Sequence, residues 1–559
     1  MPTYDLIDSP WLLPRPRGEA ARELRSLRHT LLNAHEYDSV EVEVSTQTPA
    51  LLRHLLVPIV MDALGRPADR AEWARRFANG RFTEQQQQAI GDYLDEHRSR
   101  FDLFSEEAPF AQVAGLHTAK QETKGAALLV ATAASGNNVP LFATRTEGDP
   151  LPLTPPEAAR WLLHAHCWDT AGIKSGAADD PLAKAGKTTG NVTGPLGYLG
   201  VIVPVGRTLF ETLMLNIPIG HQPADDLPQW RRPPATAQWR SRAATGLLDL
   251  WTWQSRRIRL VPEETDKGLR VCRVVVCAGD RLESIPEWEP HTAWIFAKAP
   301  KGATGMLRRP RRHMAGKAAW RGMAALLAAE RQDGDGGVET SVLLSQLADI
   351  QAEGFLAFDY PLQVQTIGIV YGTQSAVVED ILFDSIPLPI AGLRTKTDTY
   401  TTLVQVTEQA EDLARAVNDL SADLRRARGA DPIPWDKGQR PGEFVLHALD
   451  PLVRRFLVGV RATADDPELL EKGRAAWEEL AGQRTWEVAE KLLATATGSE
   501  FAGRVVKKDN REYVYRLASA EQNFRQRVRD ALPRWAQAVR DRRGAHSDQV
   551  AASTNAQPV

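Results

Sequence analysis

Seven apolar residues between positions 403 and 424 constrain this chain more than any other feature. Leu403, Val406, Ala410, Leu413, Val417, Leu420 and Leu424 follow one another at intervals of 3, 4, 3, 4, 3 and 4. That repeat keeps side chains on one stripe of a helix; a strand, alternating every second residue, would scatter them over both faces. Such a stripe has to be buried against partners, and three more helical segments follow. These are Phe444–Arg461, Pro467–Ala496 with Asp466 as its cap, and Ala518–Arg543, where Phe524, Val528, Leu532, Trp535 and Val539 share a face and Pro533 predicts a kink. The pattern predicts a four-helix bundle over residues 397–543. The small polar residues 544–559 read as a disordered tail.

Residues 1–390 have a different texture. Short β-branched runs, Val201–Val205, Val271–Cys277 and Val364–Val370, are interleaved irregularly with helical stretches and loops rich in Gly and Pro. Strands and helices do not alternate as a doubly wound parallel sheet requires. The expected fold class is therefore α+β: a large irregular mixed N-terminal domain, 1–390, followed by the C-terminal four-helix bundle.

Lys+Arg 68 against Asp+Glu 71 leaves a net charge of −3, so the chain is not a uniformly basic nucleic-acid binder. Three cysteines, Cys167, Cys272 and Cys277, make neither a disulfide framework nor a four-cysteine zinc site. The opening Met1-Pro2-Thr3-Tyr4-Asp5 lacks the basic region and apolar core of a signal peptide. No apolar stretch approaches the ~20 residues of a membrane helix. A cytoplasmic protein without membrane contact is expected.

The candidate chemistry is uneven. Gly186-Lys187-Thr188 lacks the earlier glycine of a phosphate loop, since position 181 is Pro, and reads as an ordinary loop. His164, His166 and Cys167 are three possible metal ligands in four residues, yet on a helix the two histidines point about 200° apart. Two basic windows say more. Between Arg231 and Arg259 stand seven arginines (231, 232, 240, 242, 256, 257, 259) and one acid, Asp249, interleaved with Trp230, Trp239, Trp251 and Trp253. Between Lys301 and Arg321 stand Lys301, Arg308, Arg309, Arg311, Arg312, Lys317 and Arg321 with no acid at all. Arginine presents a planar fork suited to phosphate, while tryptophan either stacks on bases or fills core. The windows predict local phosphate binding beneath a neutral total. Ser135-Gly136-Asn137-Asn138 reads as a turn, and Thr170–Gly176 as a small-residue loop through which backbone N–H groups could approach a ligand or simply move freely.

Several short segments, in order along the chain, resemble the CasA family, the large subunit of the type I-E CRISPR surveillance complex, Cascade. Tyr4-Asp5-Leu6-Ile7-Asp8-Ser9-Pro10-Trp11 resembles the family's opening "LID-x-P-W"; Phe101–Phe104 with Pro109–Gln112 resembles "F-x-L … P-F-x-Q". Gly172-Ile173-Lys174-Ser175-Gly176 resembles "G-F-K-S-G", Trp288–Thr292 resembles "W-x-P-H", and Tyr371–Gln374 resembles "Y-x-N-x-Q".

The resemblance implies a non-catalytic subunit, needing no cofactor or metal, that recognises the protospacer-adjacent motif in duplex DNA. It then promotes strand opening and R-loop formation and helps recruit a nuclease-helicase. Implied partners are the guide RNA, target duplex DNA, the small-subunit dimer, the backbone subunits and the 5′-end subunit. Carried over by residue, motif binding falls on Asp169, Thr170, Ala171, Gly172 and Lys174, with Arg281 in place of the family's lysine finger. Thr373 and Gln374 form the strand-separating wedge, Gln374 also touching the motif. The guide-RNA-end loop is Ser135, Gly136, Asn137, Asn138 and Phe142, and Arg308, Arg309, Arg311, Arg312, Lys317 and Arg321 are the expected phosphate contacts. An acid at 169 departs from the family's glycine-rich loop. The alternative is a metal-dependent hydrolase or nuclease with a site near His164, His166 and Asp169.

Overall fold

The computed structural model describes residues 2–18, 21–135, 150–298, 306–328, 337–434, 440–463, 465–508 and 511–542. The chain divides into two compact units. The first is formed by residues 1–319, 328–357 and 361–386, the second by 320–327, 358–360 and 387–559.

Helix α1, Pro155–Trp168, is the central rod of the first unit. Thr154 and Glu157 close a capping box at its start, and Pro155 and Pro156 occupy positions whose N–H groups need no partner. Twelve of its 14 residues are buried, so it is covered on all sides. The strands of this unit include β1 (Gly172–Ser175), β2 (Lys187–Asn191), β3 (Val201–Val205), β4 (Arg256–Thr265), β5 (Gly268–Ala278), β6 (Trp294–Lys298), β7 (Met306–Pro310), β8 (Gln363–Tyr371) and β9 (Val378–Pro387), with β4 and β5 packed on the helix. One sheet runs Lys124–Gly125, β5, β1, β2, with β4 also paired to β5. A second has the order β9-β8-β3, and a third pairs β7, β6 and Val338–Glu339. The three strands expected from β-branched runs are present as β3, β5 and β8, the last two extended at both ends.

The segments that carry the family resemblance fasten one another. Tyr4 N–H donates to Asp102 Oδ1 at 3.0 Å, and Trp11 Nε1 donates to Leu6 O at 2.8 Å. Gln112 bridges Leu103 O (2.8 Å) and the Leu260 N–H (2.7 Å). Glu289 of the "W-x-P-H" segment is completely buried and pairs with buried Arg53 at 2.5 Å. Its other oxygen accepts from the His291 N–H at 3.0 Å. Tyr4–Asp102, Gln112–Leu260 and Arg53–Glu289 tie distant parts of the chain, and paired polar groups of this kind hold a fold in one arrangement.

The second unit is built on α2 (Asp398–Arg428), α3 (Gly442–Arg461), α4 (Pro467–Leu493) and α5 (Leu517–Ala531). All seven stripe residues of α2 are buried, against α3, α4 and α5. Gly429 ends α2 at φ 86°, a conformation an L side chain resists. The last helix breaks at Leu532, and helical residues resume at 533–542, because Pro533 lacks the N–H that would continue the ladder. Glu478, completely buried, accepts from the N–H groups of Arg534 (2.6 Å) and Trp535 (3.1 Å) at that restart. Between α4 and α5 lies a hairpin that was not expected, β10 (Arg504–Lys508) and β11 (Arg511–Tyr515). Its signal is the β-branched and aromatic pattern on either side of Asp509-Asn510, which the basic residues obscure. Residues 544–559 lie outside the described residues.

Candidate nucleic-acid interface

A cleft of about 430 Å³ opens beside the C-terminal end of α1. Asp169, Thr170, Ala171 and Gly172, which leave that helix, form one wall, with Ile173 and Lys174 of β1. Gln374 and Ala376, on the turn between β8 and β9, line it as well, and Ser135 lies on its rim. Gly136, Asn137, Asn138 and Phe142 fall outside the described residues.

The loop 169–172 is fixed from beneath. Gly194 N–H donates to Asp169 O at 3.0 Å, Tyr371 Oη to Trp168 O at 2.7 Å, and Asn191 Nδ2 to Gly172 O at 3.0 Å. Gly194 has to be glycine, since a Cβ there would meet Cys167 O at 2.3 Å. Asp169 is held by two cations, Lys174 Nζ at 2.6 Å and Arg256 Nε at 2.5 Å. Burial opposes its ionisation, but the two cations outweigh it and keep the carboxyl low, at about 2. The acid in the loop is thus neutralised locally and puts no net negative charge on the cleft. Lys174 is correspondingly committed: its side chain is only 14% exposed and its ammonium is tied to Asp169. Expected among the motif-binding residues, it serves inside the fold as the counter-ion of Asp169. Lys124, exposed on the cleft lining, is the cation that composition did not single out.

Opposite the loop, Gly372 N–H donates to Val377 O at 3.0 Å and Ser375 N–H to Gly372 O at 2.8 Å, closing a tight turn. Gln374 (φ 56°) and Ser375 (φ 55°) both occupy the left-handed region, which costs non-glycine residues of order 1 kcal/mol each. Thr373 and Gln374 are exposed at its tip. Loop and turn meet directly: Ala171 N–H donates to Ser375 O at 2.8 Å.

Arg281 is outside the cleft lining. Its guanidinium stacks on Trp239 at 4.0 Å and donates to Thr189 O at 2.5 Å, so it braces β2. Most of the first basic window forms ion pairs within the fold instead of a phosphate track, while Arg240 stays exposed. Arg231 pairs with Asp62 (2.8 Å), Arg242 with Asp249 (2.6 Å), Arg256 with Asp169 (2.5 Å) and Arg257 with Asp280 (2.8 Å). Trp230, Trp251 and Trp253 are core. The local shortage of acids was real, and for Arg231, Arg256 and Arg257 the tertiary fold supplies one from outside the window.

The second window splits. Arg308 pairs with Glu339 at 2.9 Å and lies over Trp294 at 4.4 Å, while Arg321, in the second unit, pairs with Glu411 (2.7 Å) and Glu443 (3.1 Å). Both were expected as free phosphate contacts and are instead structural. Arg311 is half-buried, and burial lowers its pKa. Arg309, Arg312 and Lys317 are exposed, Arg312 reaching Tyr198 O at 3.4 Å.

The histidine alternative does not survive its geometry. His164 Nε2 lies 2.9 Å from Thr46 Oγ1, and His166 Nε2 lies 2.8 Å from Ala111 O, on opposite sides of α1. Burial lowers their pKa values to about 3 and about 4, so both rings are neutral. Among the described residues no three His, Cys, Asp or Glu side chains are grouped to hold a metal ion, and no helix is long and apolar enough to cross a membrane. Sequence reasoning gave Arg256 and Tyr371 no role in this site, although both hold the loop; only Tyr371 had a local signal, its place in the "Y-x-N-x-Q" segment.

A family model described as CRISPR-associated protein Cse1 matches residues 5–488. The CRISPR-associated protein CasA/Cse1 of Thermus thermophilus is 27% identical over 521 residues, 88% of this chain and 93% of that one. The crystal structure of Cse1 from Thermobifida fusca has a TM-score of 0.80 at 33% identity, covering 95% of this chain and 99% of that one. Cse1 from Acidimicrobium ferrooxidans gives a TM-score of 0.79 at 30% identity, over 96% and 99%. A chain of a CRISPR RNA-guided surveillance complex shares the fold, with a TM-score of 0.67 at 21% identity over 94% and 100%.

Proposed function

Since the chain belongs to the CRISPR-associated Cse1 family, the CasA/Cse1 large subunits of type I-E Cascade, we propose that its cleft reads the protospacer-adjacent motif of duplex DNA. The observation that carries this reading is the joining of two elements in one cleft. A backbone loop, 169–172, and an exposed glutamine turn, 373–375, are linked by the Ala171–Ser375 hydrogen bond. The loop, stripped of net negative charge, suits close approach to a groove edge, where a degenerate donor and acceptor pattern tolerates several motifs. Gln374 then enters the base stack next to the motif, its amide replacing lost pairing contacts as the guide RNA begins to pair.

Arg309, Arg312 and Lys317 hold the phosphate chain. Ser135 marks the approach to the guide-RNA 5′ end and its subunit, and the helical unit docks against the small and backbone subunits. The chain acts without catalysis or cofactor, and the opened duplex licenses recruitment of the nuclease-helicase. Gel shifts of the assembled complex, with and without this chain, on targets differing only in the adjacent motif test the reading. The complex with the chain should discriminate motifs and the complex without it should not; equal discrimination by both overturns it.

A further inference from the structure

Arg256 is the first residue of β4 and its side chain is 2% exposed, so it cannot face a bound duplex. Its fork nevertheless addresses the whole underside of the loop. Nε donates to Asp169 Oδ2 at 2.5 Å, and Nη2 donates to Thr170 O at 2.8 Å and Val192 O at 2.7 Å. Nη1 is held by Ser255 O at 2.7 Å. The base of this arrangement is rigid in turn, because Ser255 Oγ donates to His166 O at 2.8 Å in the last turn of α1. With Thr170 O and the Asp169 carboxylate drawn inward, the Ala171 N–H points at Ser375 O, 2.8 Å away on the Gln374 turn. Beside it, Tyr371 at the end of β8 donates to Trp168 O, the last residue of α1, at 2.7 Å, so the two elements are also tied where they begin.

We infer that Arg256 is the positioning residue for motif recognition: by fixing Asp169 and Thr170 it sets the Ala171–Ser375 contact and makes loop and wedge one rigid element. The inference rests on the cleft being the motif reader. Motif discrimination and duplex opening then depend on a side chain that touches no DNA. Lysine cannot replace it, because a single ammonium cannot span one carboxylate and two carbonyls held in a planar fork.

The test uses Arg256→Lys in the full chain, assembled into the complex. The affinity ratio for duplexes with and without the motif should fall about tenfold, the scale of losing a hydrogen bond from a charged donor. Affinity for a pre-melted target should stay within about twofold of wild type, since that target bypasses the cleft. Hydrogen exchange on the isolated full chain should accelerate in peptides spanning 169–172 and 372–376 together, and otherwise only around Val192, whose carbonyl the same fork holds. An unchanged ratio, an equal loss on the pre-melted target, or exchange that rises along the whole chain overturns the inference. So does acceleration confined to 169–172, which would mean that loop and turn are not coupled. A wild-type complex without motif preference overturns the functional reading itself, an outcome separate from a preference that Arg256→Lys leaves intact.

Discussion

The sorting of the second basic window into exposed and committed cations makes a quantitative prediction. Arg309, Arg312 and Lys317 are exposed, whereas Arg308 is spent on Glu339 and the face of Trp294. Each lysine or arginine that neutralises a duplex phosphate contributes about 0.9 to the slope of log affinity against log salt. Substituting all three exposed residues by alanine should therefore reduce that slope by about 2.7. Between 50 and 200 mM salt, the variant complex should lose roughly 40-fold less affinity than wild type does. Filter binding or gel shifts of assembled complex over that range, on one motif-bearing duplex, measure the slope directly. Arg308→Ala is the internal control: it should lower the melting temperature of the chain and leave the slope within about 0.3 of wild type. If Arg308→Ala moves the slope as much as each exposed substitution does, ion pairing inside the subunit is not what decides which cations reach DNA.

Other outcomes follow from the cleft and the core. Gln374→Gly keeps the left-handed turn but removes the amide, so R-loop formation should slow about five- to tenfold while initial motif binding changes little; an equal defect on a pre-melted target would refute the wedge. Glu289→Ala leaves buried Arg53 unpaired and should cost about 3–5 kcal/mol in urea unfolding, most of it recovered by combining Arg53→Met with Glu289→Leu. Burial opposes ionisation of Glu289, but the charge on Arg53 and the hydrogen bonds from His291 and Arg53 outweigh it and lower its pKa to about 2. Its stabilisation should therefore be complete above about pH 4.5 and disappear as pH falls through about 2, and Glu289→Gln should flatten that part of the pH–stability curve. Leu413→Ala, at a fully buried stripe position, should cost roughly 2–5 kcal/mol, read as a lower urea midpoint by circular dichroism.

The sequence by itself determined whatever depends on local periodicity. The 3-4 stripe from Leu403 to Leu424 became the buried face of α2 without exception, because helical geometry alone decides which side chains share a side. The β-branched runs became β3, β5 and β8 for the same reason, and Pro533 broke the last helix through its missing N–H. The family segments were legible too, although the chain alone could not say why they matter: Asp102, Gln112 and Glu289 are fasteners. The hairpin at 504–515 was missed because charged residues interrupt its β-branched and aromatic pattern on both strands.

What only the tertiary structure decided is the fate of each charge. Arg231, Arg242, Arg256 and Arg257 looked like one basic track, and their partners Asp62, Asp169, Asp249 and Asp280 lie up to 169 residues away. A charge is available to a ligand only if no opposite charge has been folded against it, and sequence proximity carries no record of that. The same holds for the site. The 169–172 loop and the Gln374 turn are two hundred residues apart, and the Ala171–Ser375 hydrogen bond that unites them exists only when β8 returns beside α1.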